Sequence, residues 1–475
     1  MPPGEYTVSV SHAGFVLMQD PRRGVTASGF KIGLSGGQTL RNIVLPMAAA
    51  PVISGTVVGP DGQPLAAALV RAYVRQYTPY GTRMRVVKKG MTDDLGAFRL
   101  SGLSFGEYFV SAGYGDRERA EAVGKTQLSA NVSRADDGYV TQFYDGTGEL
   151  SYARPVRLAP DFDDGGVTIY LKEPARFRIH GQVVPPLAGV KIAIVPKGSD
   201  LAEATSFVQT GAGGAFEIRG VSPGTYLLLG TIISAYGSFS SDVMTLNVKD
   251  SDLDGIRMAL IMTQRVSGGV TLDFGQPINF AAPHVRLVRS TIEFDQTLTE
   301  DVKPDGTFAF ADVPAGEWDI VVEPIPPGMY VKSINSAGRN LLSGGNRLSG
   351  SAPIQIVVAP APDTLDVQVT NGADPAIGAQ VAVVPAATLR RRADRYFTGF
   401  TDSSGHLRLS ALPPGTYTVY AFERIESGAY YALGANISGA SPFRDRGVSV
   451  TLGDNGGKTI ELKAIPAAET AGGIR

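Results

Sequence analysis

The chain holds four histidines, His12, His180, His284 and His406, and no cysteine. Zinc-assisted peptide hydrolysis needs a His-x-x-Glu pair and a distant third His as ligands. None of the four has Glu three residues on, and His180 and His406, in or beside strands at repeat positions, read as ordinary surface or edge residues. Without cysteine, thiolate metal sites, disulfide scaffolds and thiol nucleophiles are excluded. No Gly-x-Ser-x-Gly elbow stands between a strand and a helix, and no phosphate loop or paired-carboxylate cleft appears in a fitting context. Asp250-Ser-Asp-Leu-Asp-Gly255 has the alternating carboxylates that open a calcium loop, but its twelfth position is Ile261, where a bidentate Glu is required. It reads as a polar turn, as do Asp161, Asp163 and Asp164. No catalytic residue, cofactor or metal ligand is expected.

Aromatic rings offer a different chemistry, stacking on the faces of sugars. Tyr77 and Tyr80 lie in one loop, and Phe143, Tyr144 and Tyr152 in a long insertion of the same segment. Tyr396, Phe397, Tyr430 and Tyr431 make a second set near the C-terminus. These are the candidate carbohydrate-binding residues, set against the plainer reading that tyrosine packs insertions onto sheets.

What positions these residues is a repeat. Leu412-Pro-Pro-Gly-Thr-Tyr-Thr-Val419 is written five times, with its glycine at Gly4, Gly106, Gly224, Gly316 and Gly415. Its aromatic follows at Tyr6, Tyr108, Tyr226, Trp318 and Tyr417. Spacings near 100 residues suit small β-sandwiches and exceed any solenoid unit. Within each copy an Asp-Gly or Asp-x-x-Gly turn precedes an alternating apolar strand and sets its register. Phe98, Phe216, Phe308 and Leu407 should point inward from these strands. The motif glycine turns the chain again. The aromatic then buries its ring and leaves its polar tip to find a backbone partner, so Trp318 is expected to be core.

The fold class is therefore all-β: a tandem array of seven-stranded Ig-like or transthyretin-like β-sandwiches preceded by a partial module. Residues 1–49 read as the C-terminal half of a module, closing with strands at Phe30–Leu34 and Leu40–Leu45. Whole modules follow at 50–175, 176–263, 264–360 and 361–467, and 468–475 reads as a disordered tail. A first motif copy with no strands before it suggests a start within a module, with any export signal upstream. Short helical turns are expected at most near 201–208 or 114–125. The connections Ala48–Pro51 and Lys172–Pro174 predict a semi-rigid string rather than a collapsed globule.

Composition narrows function. With 43 basic and 45 acidic side chains the net charge is -2, which gives no electrostatic case for nucleic acid or anionic membranes. The one basic run, Arg390-Arg-Arg392, reads as a solvated loop. No stretch approaches the ~18 apolar residues of a membrane helix. Glycine and proline together make about 19% of residues against a usual ~12%, as many tight turns require.

The combination of Ile-x-Gly-x-Val, Pro-Asp-Gly-x-Pro, Thr-Asp-x-x-Gly-x-Phe and Leu-Pro-Pro-Gly-x-Tyr-x-Val resembles the carboxypeptidase regulatory-like domain family. That resemblance implies a transthyretin-like sandwich in the carbohydrate-binding-like fold group and does not imply peptidase activity. Adhesin repeats of similar pattern carry a Lys–Asn isopeptide crosslink, but the first strands here contain no Lys. The resemblance points to a non-catalytic protein at the outside of a bacterial cell, extracellular or outer-membrane associated, acting as spacer, adhesin or scaffold. Polysaccharide binding, with a polysaccharide or another cell-surface protein as partner, is the alternative. An accessory region of a larger peptidase or outer-membrane protein is the third. Repeated turn chemistry without a repeated polar site places functional residues where the copies disagree.

Overall fold

The computed structural model describes residues 4–18, 25–26, 29–34, 44–115, 138–148, 152–159, 166–173, 175–197, 206–235, 237–275, 283–290, 295–348, 350, 352–434, 443–453 and 456–470. These residues are almost all strand and coil, as alternating apolar runs between Gly-, Pro- and Asp-bearing turns dictate. Four separate apolar cores lie along them, within 53–171, 179–260, 266–358 and 365–464. The protein is a tandem β-sandwich array.

One strand frame recurs around each core. The first strand (Ile53–Val58, Phe177–Val184, Gln264–Leu272 or Asp363–Asn371) runs antiparallel to the strand carrying Phe98, Phe216, Phe308 or Leu407. On its other side it runs parallel to the module's last strand. The facing sheet is built on the motif strand paired antiparallel with the module's second strand, as Gly106–Tyr114 is with Leu69–Thr78. Short edge strands take the total beyond the seven of the basic frame. In the 176–263 module, Gly237–Ser241 bonds strands of both sheets and joins them into one.

The first strand's glycine has a steric cause. Gly55, Gly181 and Gly268 sit opposite Phe98, Phe216 and Phe308 across the antiparallel ladder. A Cβ on Gly181 would lie 2.7 Å from the Ile256 carbonyl oxygen and inside the Phe216 ring. The ring fills the volume that the glycine leaves empty. In the last module both partners change together: Val367 faces Leu407. A smaller side chain on one strand is matched by a larger one on the other.

The motif aromatic behaves as its chemistry requires. Tyr108, Trp318 and Tyr417 are 5%, 0% and 1% exposed. The polar tip of each donates to the carbonyl four residues earlier: Tyr108 to Ser104 (2.8 Å), Tyr226 to Ser222 (3.0 Å), Trp318 to Pro314 (3.0 Å) and Tyr417 to Pro413 (3.0 Å). The bond closes the turn that the glycine opens, with φ of +138 to +156° at the four glycines. Gly4 begins a described strand whose side chains lie outside the described residues, so the Tyr6 ring is not placed.

A third recurring device gives the Thr of Thr-Asp-x-x-Gly-x-Phe a role that the pattern alone did not state. Buried Thr92, Thr210 and Thr401 each accept from a main-chain N–H and donate to a main-chain carbonyl at the foot of the second strand. In the 264–360 module Val302, 2% exposed, takes this place. The hydroxyl is thus one way to fill the position and an apolar side chain is another.

Three expectations are corrected here. Ala48–Pro51 is not a plain linker, because Met47–Ala49 pairs antiparallel with Phe15–Leu17. The tail is ordered at its start: Ala467–Thr470 is a short helix, Ala467 N–H donates to Glu423 Oε2 at 2.9 Å, and Thr470 Oγ1 donates to the Arg424 carbonyl at 2.7 Å. Residues 471–475 lie outside the described residues. Ser206–Gln209, inside one stretch allowed a helical turn, is a strand; the rest of that stretch falls outside the described residues, as do 116–125 of the second and most of the Leu40–Leu45 strand.

Finally, the array is not a plain string. The hairpin of the 50–175 module, Leu69–Thr78 and Gly81–Met91, reaches the 3-10 turn Ala429–Gly434 of the last module. Linker length carried no information on this contact, because the hairpin that makes it extends well past its own core.

Candidate functional site

The sequence-predicted tyrosines converge at this junction, and the arrangement starts from the hairpin tip. Thr78 and Gly81 close the tip, with Thr78 Oγ1 donating to the Gly81 carbonyl at 2.8 Å. Strand alternation then points Tyr77 away from its own core. Its ring is 5% exposed and packs among Ala382, Val384, Tyr420, Phe422 and Ile425 of the last module. Its hydroxyl donates to Glu426 Oε2 at 2.6 Å. Burial, aided by the Glu426 carboxylate, pushes that hydroxyl up to about 12. Burying such a ring contributes on the order of 2–3 kcal/mol.

Tyr396, Tyr430 and Tyr431 complete the same cluster. Tyr431 stands edge-on to Tyr396 at 4.6 Å and tilted against Tyr430 at 4.7 Å. Burial raises the hydroxyl pKa of Tyr396 and Tyr431. Phe397 packs on the last module's own core. The rings of Tyr77, Tyr396 and Tyr431 therefore face protein.

Tyr80, on the other side of the tip, covers a second contact. The Arg391 guanidinium lies 5.2 Å from its ring centroid, and burial followed by the nearby Asp319 carboxylate raises its hydroxyl. Arg391 grips Asp319 side-on, Nε at 3.2 and 3.1 Å from the two oxygens and Nη2 at 2.8 Å from Oδ2. Asp319 is 2% exposed and also accepts from Gly345 N–H at 2.5 Å. Arg392 donates to the Ile320 carbonyl at 2.6 Å and holds Asp394 at 2.9 Å through its other nitrogens. Arg395, 2% exposed, donates to the Val331 carbonyl at 2.6 Å and lies 4.8 Å over Tyr330.

The Arg390–Arg392 run is thus not a solvated loop. The 3-10 turns Ala387–Leu389 and Ala393–Arg395 aim the guanidiniums of Arg391, Arg392 and Arg395 at the preceding module. The Asp319 carboxylate and the Ile320 and Val331 carbonyls accept from them there. Arginine suits the place because its planar fork meets a carboxylate with two parallel bonds. The joint gathers three modules: 50–175 through Tyr77 and Tyr80, 264–360 through Asp319, and 361–467 through Arg391 and Glu426.

Sequence reasoning missed Asp319, Arg391, Arg392, Arg395 and Glu426. One signal was present. In the motif copies the residue after the aromatic is Thr7, Phe109, Leu227 or Thr418, and only the Trp318 copy has an acid.

Phe143, Tyr144 and Tyr152 stand apart from the joint. Phe143 tilts against Tyr73 at 5.8 Å, Tyr144 packs on the 50–175 core, and Arg154 lies 5.8 Å from the Tyr144 ring. Tyr152 is 77% exposed.

The acidic turns and histidines pair without gathering. Asp252 accepts from Arg178 N–H at 2.7 Å. Asp254 and Glu217 flank His180, at 2.7 Å from Nδ1 and 3.0 Å from Nε2. Glu217 is also held by Arg219 at 2.6 Å and faces Arg178 at 3.7 Å. Among the described residues no group of three or more His, Asp or Glu side chains could hold a metal ion; Asp161, Asp163 and Asp164 lie outside them.

Hydrogen bonds that the His180 ring donates to Asp254 and then to Glu217 raise its pKa above the ordinary 6.5. A raised folded pKa means the charged ring is favoured in the fold. Its contribution is present in full below the unfolded pKa and is lost as pH rises through the folded one. An NMR titration of the His180 ring should give a midpoint above 6.5; a midpoint at or below that value would refute the pairing.

No family model matches the chain, and no curated protein does either. Among solved structures it is similar to the Bacillus anthracis TIE protein at 12% identity and a TM-score of 0.17, over 87% of this chain and 74% of that one. A Streptococcal ancillary pilin matches at 9% identity and a TM-score of 0.22, over 65% and 99%. BcpA, the major pilin subunit of Bacillus cereus, matches at 14% identity and a TM-score of 0.16, over 87% and 98%. Scores this low carry no argument, and function must be read from the residues. No helix among the described residues is long and apolar enough to cross a membrane.

Proposed function

We propose that this chain is a non-catalytic multi-module protein of the bacterial cell exterior whose work is to hold its modules in a fixed arrangement, as a spacer or assembly scaffold. One observation carries the reading: polar groups peculiar to single modules meet across modules, Asp319 with Arg391 and Glu426 with Tyr77. An enzyme or receptor would keep such groups turned toward a cleft. The location rests on the resemblance to carboxypeptidase regulatory-like modules in their secreted settings.

Labelling intact producing cells with a membrane-impermeant reagent tests it. The chain should be labelled without permeabilisation, and labelling only after lysis would overturn the reading. Polysaccharide binding has one observation in its favour, the exposed ring of Tyr152. A glycan array probed with the full chain decides it: binding lost in Tyr152→Ala would support it, and no signal above background would remove it.

A further inference from the structure

The hairpin tip and the last module meet without a shared ladder. Tyr77 is buried in the apolar cluster of the last module and its hydroxyl donates to Glu426 Oε2 at 2.6 Å. The Arg391 guanidinium lies over the Tyr80 ring. Among the described residues no main-chain hydrogen bond joins 50–175 to 361–467. The contact nevertheless ties residue 77 to residue 426, so the chain between them, with both inner modules, is a closed loop.

Each module is held together in a different way. Its first and last strands, where tension along the chain enters and leaves, lie side by side and run parallel. The shortest such ladder pairs Gly55–Val58 with Val167–Tyr170, and the longest pairs Thr364–Thr370 with Gly457–Lys463. Pulling the start of one strand against the finish of its parallel neighbour slides the two along each other. The evenly spaced bonds of a parallel ladder then bear the load together, and none can be parted singly from an end.

We infer that the joint is a clasp that tension opens before any module unfolds. The array cannot straighten while residues 77 and 426 are held together, so a pull on its ends loads the joint. The joint resists with a few side-chain contacts, whereas a module yields only with a whole ladder and the core behind it. Opening therefore draws on the least stable contacts first. Once the joint parts, the two inner modules swing into line still folded. A strand of about seven residues is ~2.3 nm long, so two modules add on the order of 4–6 nm. Unfolding one module instead frees roughly 90 residues, or ~30 nm of chain. The clasp adds a short, recoverable extension ahead of the large ones. It rests on the spacer reading only for its purpose; the extension itself is a property of the purified chain.

Single-molecule stretching of the full chain tests it apart from any question of location. The chain has no cysteine, so Ala49→Cys and Ala468→Cys, both at exposed positions, supply one defined pair of attachment points. This chain should show a reversible step of about 5 nm ahead of every step of ~30 nm or more. Adding Tyr77→Ala/Tyr80→Ala should abolish the short step or bring it to about half the force or less, with the large steps unchanged. The large steps report that the modules are folded. Glu426→Ala, which removes only the partner of the Tyr77 hydroxyl, should lower the force of the short step by less than the double substitution does. A first event of ~30 nm before any short step overturns the inference, because a module would then have yielded before the clasp. So does a short step that Tyr77→Ala/Tyr80→Ala leaves at its original force.

Discussion

Replacing Arg391 with Ala should lower the unfolding transition of the segment that includes residues 264–360 by roughly 6 to 12 °C. Asp319 is 2% exposed and takes three hydrogen bonds from Arg391. Removing one member of a buried pair leaves the other desolvated and uncompensated, which costs ~3–5 kcal/mol. Gly345 N–H still bonds Asp319, and the Arg391 side chain is itself 38% exposed. The lower end, about 3 kcal/mol, is therefore expected, and each kcal/mol moves a transition of this size by ~2–4 °C. The loss should reach beyond one module, because Tyr80 of the 50–175 hairpin rests on the same guanidinium. The hairpin tip should become cleavable in limited proteolysis.

Two further variants separate the charge from the packing. Asp319→Ala/Arg391→Ala strands no ion and should cost less than Arg391→Ala alone. Arg391→Lys keeps the charge and loses the side-on grip, and should fall between. Should Arg391→Ala melt within a degree of wild type by calorimetry, the joint is not what holds these modules together.

The joint also shows where sequence reading stops. The frame was legible because it repeats: turn glycines, inward Phe98, Phe216 and Phe308, and the buried aromatic follow from local chemistry that each copy states again. The Tyr108, Trp318 and Tyr417 tips find their carbonyls only four residues away, within reach of pattern reading. Tyr77 and Glu426 are 349 residues apart, and no periodicity relates them. Nor does composition separate an arginine run facing water from one facing a neighbouring module. What decided Arg391 was a single acid on another module. Tyr77 read as a loop residue but lies in the strand Leu69–Thr78, and a ring suited to stacking on a sugar is equally suited to another protein surface. The one trace in the sequence was Asp319 breaking the motif's own pattern.

Adjacent glycines in one strand should respond in opposite directions. Gly268 and Gly269 both lie in the first strand of the 264–360 module, and neither needs a left-handed backbone. A Cβ on Gly269 would meet only the Gly306 carbonyl oxygen, at an ordinary 3.7 Å. Gly269→Ala should then be neutral or stabilise by up to ~1 kcal/mol, since it restricts the unfolded chain. A Cβ on Gly268 would fall 2.6 Å from the Phe308 ring and closer still to the Ile354 carbonyl oxygen of the parallel strand. Gly268→Val should cost at least about 3 kcal/mol, because overpacking here must move backbone on one side and a 2%-exposed ring on the other. The last module suggests the remedy, since it sets Val367 against Leu407. Adding Phe308→Leu to Gly268→Val should recover the part due to the ring and leave the part due to the carbonyl. Full recovery would mean that the parallel strand yields freely and that the ring alone requires the glycine. No recovery would mean that the parallel strand alone does, and that the Gly–Phe and Val–Leu pairs are not alternative solutions to one packing problem.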